Sequence, residues 1–187
     1  MSSNTVLKVS DLNKSFSGIT AAQNLNVSVN SGEIVGIIGA NGAGKTVFVN
    51  MITGYLKPTS GTIEFLGSDI TGIEPRDATH IGLCRSFQIS QVFMSMTVKE
   101  NLMIAMSLSK KSGAQLLKPI QDETISNECD EILDLYKIKD QMDLTVSTLS
   151  QGIRKLLDIA MAVVGNPKVI LLDEPTSGVS VEEKFGI

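Results

Sequence analysis

The sequence predicts an α/β fold with a helical insert in the middle of the chain. Three observations support this prediction. The apolar run 33–38 leads into a glycine-rich loop and then a helical pattern. A second apolar run, 169–172, has the length of one buried strand. Between these runs, 97–108 and 125–136 are predicted to be helices, and in the second the apolar residues recur at helical spacing.

The first elements follow from alternation and turn residues. Residues 5–9 and 25–29 alternate between apolar and polar side chains, which is typical of strands with one buried face. The segment 30–32, Asn-Ser-Gly, predicts a turn. The run 33–38 is predicted to be a strand buried on both faces, because after Glu33 it is apolar with one glycine.

A helix and a short strand are predicted next. The helix covers about 45–52 and is stopped by Gly54, since glycine readily adopts the conformation that ends a helix. A turn at 58–61 leads into a strand at 62–66.

The helical insert is predicted from two segments joined by a linker at 110–119. In the second segment, one face is expected to pack in a core rather than bind a ligand. This face contains Ile125, Cys129, Ile132 and Tyr136.

Further helices are predicted after the insert. One covers 153–164 and is ended by 165–167, Gly-Asn-Pro; another begins after Ser180, with Glu183 closing a capping box.

Composition excludes several classes of function. The 187 residues have a net charge of −4 and no clustered basic face, which argues against a nucleic-acid partner. Cys84 and Cys129 do not have metal-binding spacing and are expected to be reduced, partly buried thiols. No apolar run approaches the roughly 20 residues of a membrane span, so a membrane role is expected to be peripheral.

The most specific motif is the loop 39–46, which matches the phosphate-binding pattern G-x-x-x-x-G-K-[ST] between a predicted strand and helix. Its glycines let the backbone wrap a phosphate, and the helix N-terminus adds partial positive charge. Lys45 is predicted to reach the β- and γ-phosphates, and Thr46 to bind Mg²⁺. The predicted nucleotide-binding residues are Gly39, Ala40, Asn41, Gly42, Ala43, Gly44, Lys45 and Thr46.

Two acidic residues follow the apolar run 169–172. Asp173 suits the shell of a Mg²⁺ ion, and Glu174 suits polarisation of an attacking water. The alternative is a strand followed by a solvated acidic turn, which the phosphate loop upstream makes less favourable.

A third motif, 149–152, opens the predicted helix that follows it. Ser150 is a good N-cap and Gly152 permits close backbone approach, so local physics alone favours a plain helix cap.

The three motifs, in this order and spacing, resemble the ATPases of ATP-binding-cassette (ABC) transporters over nearly the whole chain. The resemblance implies a P-loop NTPase core of ABC type, with an N-terminal antiparallel β subdomain, in one ATP-binding domain, 5–187. Within it, 5–87 and 166–187 would form the α/β core and β subdomain, and 88–165 the helical subdomain. The implied cofactors are ATP and Mg²⁺.

The resemblance also implies roles that local physics does not. Ser150, Gln151 and Gly152 match the signature motif, which contacts ATP held by the opposite cassette of a dimer. Gln88 matches the Q-loop glutamine that senses Mg²⁺ and couples to membrane subunits; otherwise it is simply a polar loop residue. Phe16 matches an aromatic that stacks on adenine, with a hydrophobic anchor as the alternative. The segment 177–180 matches the D-loop.

The segments 16–21, 85–88, 96–102 and 149–180 resemble the cassettes of importers for branched-chain amino acids and related amides or urea. This resemblance implies three partners: a second cassette, expected to be non-identical, transmembrane permease subunits, and indirectly a substrate-binding protein. It places the protein peripherally, on the cytoplasmic face of the inner (plasma) membrane.

Some positions depart from the family pattern. Val47 replaces a common threonine, Ile153 a polar signature residue, and Ser180 a frequent aspartate. The family's switch histidine would lie well beyond Glu174, and His80 is expected to be a surface residue of a loop or short helix instead.

The ABC domain is expected to be C-terminally incomplete, and the chain alone to be marginally stable and poor at hydrolysis. The leading interpretation is an ATP-hydrolysing subunit that energises an importer. The alternatives are a truncated, non-hydrolysing cassette that binds nucleotide or a partner only, and a different P-loop enzyme such as a small-molecule kinase.

Overall fold

The computed structural model describes residues 4–86, 92–110, 123–173 and 175. The chain divides into two compact units, 1–84 and 85–187. The predicted D-loop, the helix after Ser180 and most of the predicted linker at 110–119 lie outside the described residues.

The first unit begins with a long antiparallel hairpin. Strand β1 (Thr5–Phe16) pairs with β2 (Ile19–Asn30) through a turn at Ser17 and Gly18. The predicted strands 5–9 and 25–29 are present but are much shorter than the observed ones. Register shifts along β1, and positive φ angles at Asp11 and Asn24, interrupt the alternation by which a sequence reveals a strand.

The hairpin is part of a four-stranded antiparallel sheet with the order β2-β1-β3-β4. Strand β3 (Ser60–Phe65) includes most of the predicted strand 62–66, and β4 is the short Ser68–Asp69. The antiparallel β subdomain is therefore confirmed. Its buried apolar side chains on β1 and β3 are Leu7, Val9, Leu12, Ile63 and Phe65.

The prediction of a buried strand at 33–38 is wrong in this unit. The segment has no regular secondary structure, and the side chains of Ile34 and Ile38 are both 99% exposed. A strand buried on both faces needs paired neighbours and apolar cover. No described strand pairs with this segment, so its apolar composition alone does not make it a strand.

Two helices complete the first unit. Helix α1 (Lys45–Ile52) has the predicted bounds, and Gly54 follows it at φ +81°. A Cβ at Gly54 would collide with the carbonyl oxygen of Ile73, so a glycine is required there. Helix α2 (Pro75–His80) ends at an exposed His80, as predicted.

The second unit contains the helical insert. Its helices are α3 (Val98–Lys110), α4 (Glu123–Leu135) and α5 (Gln151–Val163), with 3-10 turns at Lys139–Gln141 and Val146–Thr148. The predicted apolar face of α4 is confirmed as a core face, since Ile125 and Cys129 are buried in the helical core and Ile132 and Tyr136 pack against it. Lys99 of α3 and Asp130 of α4 form an ion pair at 2.8 Å.

A two-stranded sheet pairs β5 (Leu83–Ser86), which spans the boundary between the units, with β6 (Val169–Leu172). Strand β6 has the predicted bounds but is only partly buried.

Both cysteines are free thiols; Cys129 is buried, and burial raises the pKa of the Cys84 thiol. Among the described residues, every helix falls short of the length and hydrophobicity that a membrane span requires.

Asn101 fixes the loop that precedes α3. Its side chain is fully buried, accepts a hydrogen bond from the Phe93 N–H at 2.7 Å, and donates to the carbonyls of Phe93 at 3.1 Å and Thr97 at 2.8 Å. The same loop is joined to 144–147 by the hydrogen bonds from Val146 N–H to Met96 and from Ser147 N–H to Met94. The segment before α3 and the segment before α5 are therefore tied together.

Replacing Asn101 with alanine is expected to lower the free energy of unfolding by about 2–4 kcal/mol, because buried backbone groups lose their partner. Asn26 is a matched control, since its exposed amide also makes three hydrogen bonds, to Asp11 and Asn24. Asn26→Ala is expected to cost less than about 1 kcal/mol, because water replaces those bonds. Equal losses in urea denaturation would contradict this account.

Candidate functional site

The glycine-rich loop lies in the first unit, immediately before α1. Residues 39–43 are exposed, and the Ala43 N–H donates to the Ala40 carbonyl at 3.1 Å. Gly42 and Gly44 have φ angles of +82° and +86°, in the left-handed region that favours glycine. The loop therefore turns sharply and presents its backbone to solvent just before the helix.

Gly44 is also a point of close backbone approach. A Cβ built there would lie 2.5 Å from the carbonyl oxygen of Ala21 on β2. The equivalent Cβ at Gly42 would have no atom within 4 Å. Only Gly44 combines a positive φ with a backbone contact in this loop, so it fixes the loop against the hairpin.

The N-terminus of α1 is suited to an anion. Gly44 is its N-cap without a side-chain capping bond, and the first turn contains no acidic residue. The first helical hydrogen bond runs from the Phe48 N–H to the Gly44 carbonyl at 2.9 Å, so the amides of Lys45 and Thr46 precede the helical ladder. Such amides, together with the helix dipole, favour a phosphate group.

Lys45 brings its charge to the same loop. Its Nζ donates to the carbonyl of Gly39 at 2.6 Å and to that of Ala40 at 3.1 Å. These carbonyls lie on exposed residues, so the ammonium group can exchange them for phosphate oxygens. The structure thus brings the Lys45 ammonium group back to the first two residues of the loop 39–46. Thr46 is exposed on the first turn of α1.

Phe16 lies at the end of β1 and is 44% exposed. The Nζ of Lys14 is 5.0 Å from the centroid of its ring, which is within the range of a cation–π contact. A hydrophobic anchor would be buried, whereas this ring is open to a stacking partner. Its assignment to adenine stays a prediction.

Asp173 follows β6 in the second unit and is buried. Its Oδ2 accepts a hydrogen bond from the Arg85 guanidinium at 2.8 Å, and the two side chains are 9% and 8% exposed, respectively. The alternative of a solvated acidic turn therefore does not hold for Asp173. Glu174 and Gln88 lie outside the described residues, so their roles stay predictions.

The predicted signature residues open α5. The Ile153 N–H donates to the Ser150 Oγ at 3.3 Å, which makes Ser150 the N-cap. Ser150 and Gln151 are exposed and Gly152 is buried. Ile153, which departs from the family pattern, packs against the helical core.

Two arginines at these sites were not assigned roles from the sequence. Arg154 donates to the carbonyls of Ser147 at 3.1 Å and Leu149 at 2.7 Å, and so fixes the loop before Ser150. Arg85 pairs with Asp173 across 88 positions of sequence. The only sequence signal was a basic residue next to each motif, which alone does not identify a partner.

The predicted metal ligands with described positions, Thr46 and Asp173, are oxygen donors. In the part of the chain that the structure describes, no three His, Cys, Asp or Glu residues form a group able to hold a metal ion. The Thr46 hydroxyl in the first unit and the Asp173 carboxylate in the second are each hard oxygen donors, the kind of ligand that Mg²⁺ prefers.

Known proteins provide an independent comparison. A family model described as ABC transporter matches residues 22–177. The chain is 35% identical over 181 residues to the probable branched-chain amino acid transport ATP-binding protein LivG of Archaeoglobus fulgidus. That match covers 94% of this chain and 69% of the relative.

Solved structures of ATP-binding cassettes are also similar to this chain. One is an ATP-binding cassette of an ABC transporter in its ADP conformation, with a TM-score of 0.84 and 34% identity, covering 97% of this chain and 73% of that one. Another is a dimeric post-hydrolysis cassette bound to ADP and Pi, with a TM-score of 0.80 and 25% identity, covering 97% and 79%. The chain thus belongs to the ABC transporter family, as an ATP-binding cassette and ATPase related to the LivG proteins.

Proposed function

We propose that this cassette hydrolyses ATP to drive import of branched-chain amino acids or related amides. The observation that carries the proposal is the uncapped N-terminus of α1, where Lys45 adds a positive charge beside the loop amides. The LivG relative, described as a transport protein for branched-chain amino acids, supports the substrate class.

The residues of the loop would bind and orient the nucleotide. Backbone amides from Gly39 to Thr46 would surround the phosphates, Lys45 would bind the β- and γ-phosphates, and Phe16 would stack on adenine. Bound Mg²⁺ would neutralise charge that develops on the γ-phosphate, and Thr46, Gln88 and Asp173 are the side chains proposed to hold it. Glu174 would orient and polarise the attacking water.

The exposure of Ser150 and Gln151 at the start of α5 supports a second cassette as a partner. In a dimer, the N-terminus of α5 would face the ATP that the second cassette holds. The residues that would contact this ATP are Ser150, Gln151 and Gly152. A dimeric related cassette supports this arrangement. We propose a heterodimer that binds transmembrane permease subunits and, through them, a substrate-binding protein. The cassette would act at the cytoplasmic face of the inner (plasma) membrane as a peripheral subunit.

Replacing Glu174 with glutamine tests the assigned chemistry. The variant is expected to bind ATP within about twofold of the unmodified protein but to lose about 100-fold or more in turnover, since the water is no longer polarised. With ATP and Mg²⁺ it is expected to accumulate as a closed dimer in size-exclusion chromatography.

Glu131→Gln is the matched control, because it makes the same charge change on the exposed surface of α4. This control is expected to retain normal turnover. Unchanged turnover in Glu174→Gln would refute the role of Glu174. ATP binding without turnover in the unmodified protein would favour the non-hydrolysing alternative.

A further inference from the structure

Arg85 and Asp173 form the most buried ion pair between strands in the described residues. They lie on β5 and immediately after β6, the two strands of one sheet. The Arg85 Nη2 and the Asp173 Oδ2 are 2.8 Å apart, with both side chains less than one tenth exposed. The pair therefore involves the carboxylate proposed for Mg²⁺, which directly precedes Glu174 in the sequence.

A buried carboxylate needs a nearby cation, because removal from water strongly disfavours an uncompensated charge. In the structure, Arg85 meets this need at Asp173. Mg²⁺ bound with nucleotide would bring a second cation to the same carboxylate. Two cations that share one carboxylate repel each other, and the repulsion is weakly screened in a buried site.

We propose that Arg85 is the resident counter-charge of Asp173 and, as a positioning residue, sets the affinity of the cassette for Mg²⁺. It holds the Asp173 carboxylate in place while Mg²⁺ is absent. It then weakens Mg²⁺ binding, so that the ion can leave with the spent nucleotide. This inference rests on the proposed function, because it requires Asp173 to face Mg²⁺ when nucleotide binds.

A purely structural ion pair is the competing explanation. Such a pair would affect the stability of the folded protein equally with and without Mg²⁺. A counter-charge that competes with Mg²⁺ couples the two, so that loss of Arg85 tightens Mg²⁺ binding. The two explanations therefore differ in the dependence on Mg²⁺ rather than in stability alone.

The experiment uses the full chain with saturating ADP, which avoids turnover. The thermal midpoint is followed as Mg²⁺ is added after EDTA treatment. Arg85→Gln removes the charge but keeps an N–H donor for Asp173. We expect its Mg²⁺ concentration at half effect to fall by about fivefold or more, since a repelling charge is gone. Arg85→Lys, which restores the charge, is expected to return this concentration to within about twofold of the unmodified protein.

Lys99→Gln is the matched control, because it breaks a comparable 2.8 Å ion pair with Asp130 on the helices of the same unit. It is expected to lower the midpoint without changing the Mg²⁺ concentration at half effect. An unchanged or higher Mg²⁺ requirement in Arg85→Gln would overturn the inference. Absence of any Mg²⁺ effect in the unmodified protein would overturn the proposed Mg²⁺–nucleotide site as well, which separates the two failures.

Discussion

Replacing Lys45 with alanine is expected to weaken ATP binding by about 100-fold, because charge-assisted hydrogen bonds to phosphate are among the strongest in a nucleotide site. In the structure, the Lys45 Nζ bonds only to exposed carbonyls, those of Gly39 and Ala40, among the described residues. The loss is therefore expected in nucleotide affinity, measured by isothermal titration, with little change in the thermal midpoint without nucleotide.

Lys57→Ala is the control for this prediction. Lys57 lies in the same unit and forms an exposed ion pair with Glu74 at 3.6 Å. Its replacement by alanine removes the same charge as Lys45→Ala. Exposed pairs contribute little to stability, and Lys57 lies outside the loop. ATP affinity is therefore expected to stay within about twofold. A similar affinity for Lys45→Ala and the unmodified protein would remove the phosphate site from this loop.

Replacing Gly44 with alanine is expected to destabilise the first unit by about 3 kcal/mol or more. About 1–2 kcal/mol comes from the positive φ of +86°, and the rest from the contact of the new methyl group with the Ala21 carbonyl. The backbone must move at the N-terminus of α1, so ATP affinity is expected to fall as well.

Gly42→Ala separates the two costs. Gly42 has a similar φ of +82°, but a Cβ there would meet nothing within 4 Å. Its expected cost is only about 1–2 kcal/mol, from backbone conformation alone. Chemical denaturation of both variants measures the difference. Equal losses would show that the close approach of Gly44 to the hairpin does not contribute.

Helix ends, short strands and helix faces could be predicted from the sequence, because they depend on residues that are close together in the chain. Helix α1 has the predicted bounds because the phosphate-binding pattern precedes it and Gly54 follows it. Ser150 caps α5 because its hydroxyl accepts a hydrogen bond from the Ile153 amide. Strand β6 was predicted from a short β-branched and apolar run. The apolar face of α4 was predicted from helical spacing.

Features that depend on distant partners could not be predicted in the same way. The run 33–38 has the composition of a buried strand, but pairing depends on neighbours that composition does not specify. The strands at 5–9 and 25–29 were predicted too short because β-bulges interrupt their alternation. The sequence does not reveal that Arg85 pairs with Asp173. It also does not reveal that the Asn101 side chain forms hydrogen bonds with the Phe93 backbone.

In the candidate site, too, the sequence predicted the local motif but not the contacts between distant residues. The loop 39–46 was recognised from its pattern, and its geometry supports phosphate binding at α1. Gln88 and Glu174 stay predictions from family resemblance, outside the described residues. The structure adds Arg85 to the candidate site residues, because only the structure shows that Asp173 already has a cationic partner.

The measurement that tests the central claim most directly is release of inorganic phosphate from ATP by the purified protein with Mg²⁺. We predict phosphate release that Lys45→Ala abolishes and Lys57→Ala retains. ATP binding without phosphate release would contradict the claim of hydrolysis and identify a cassette that only binds nucleotide. Release that is unaffected by Lys45→Ala would contradict the assignment of the site itself.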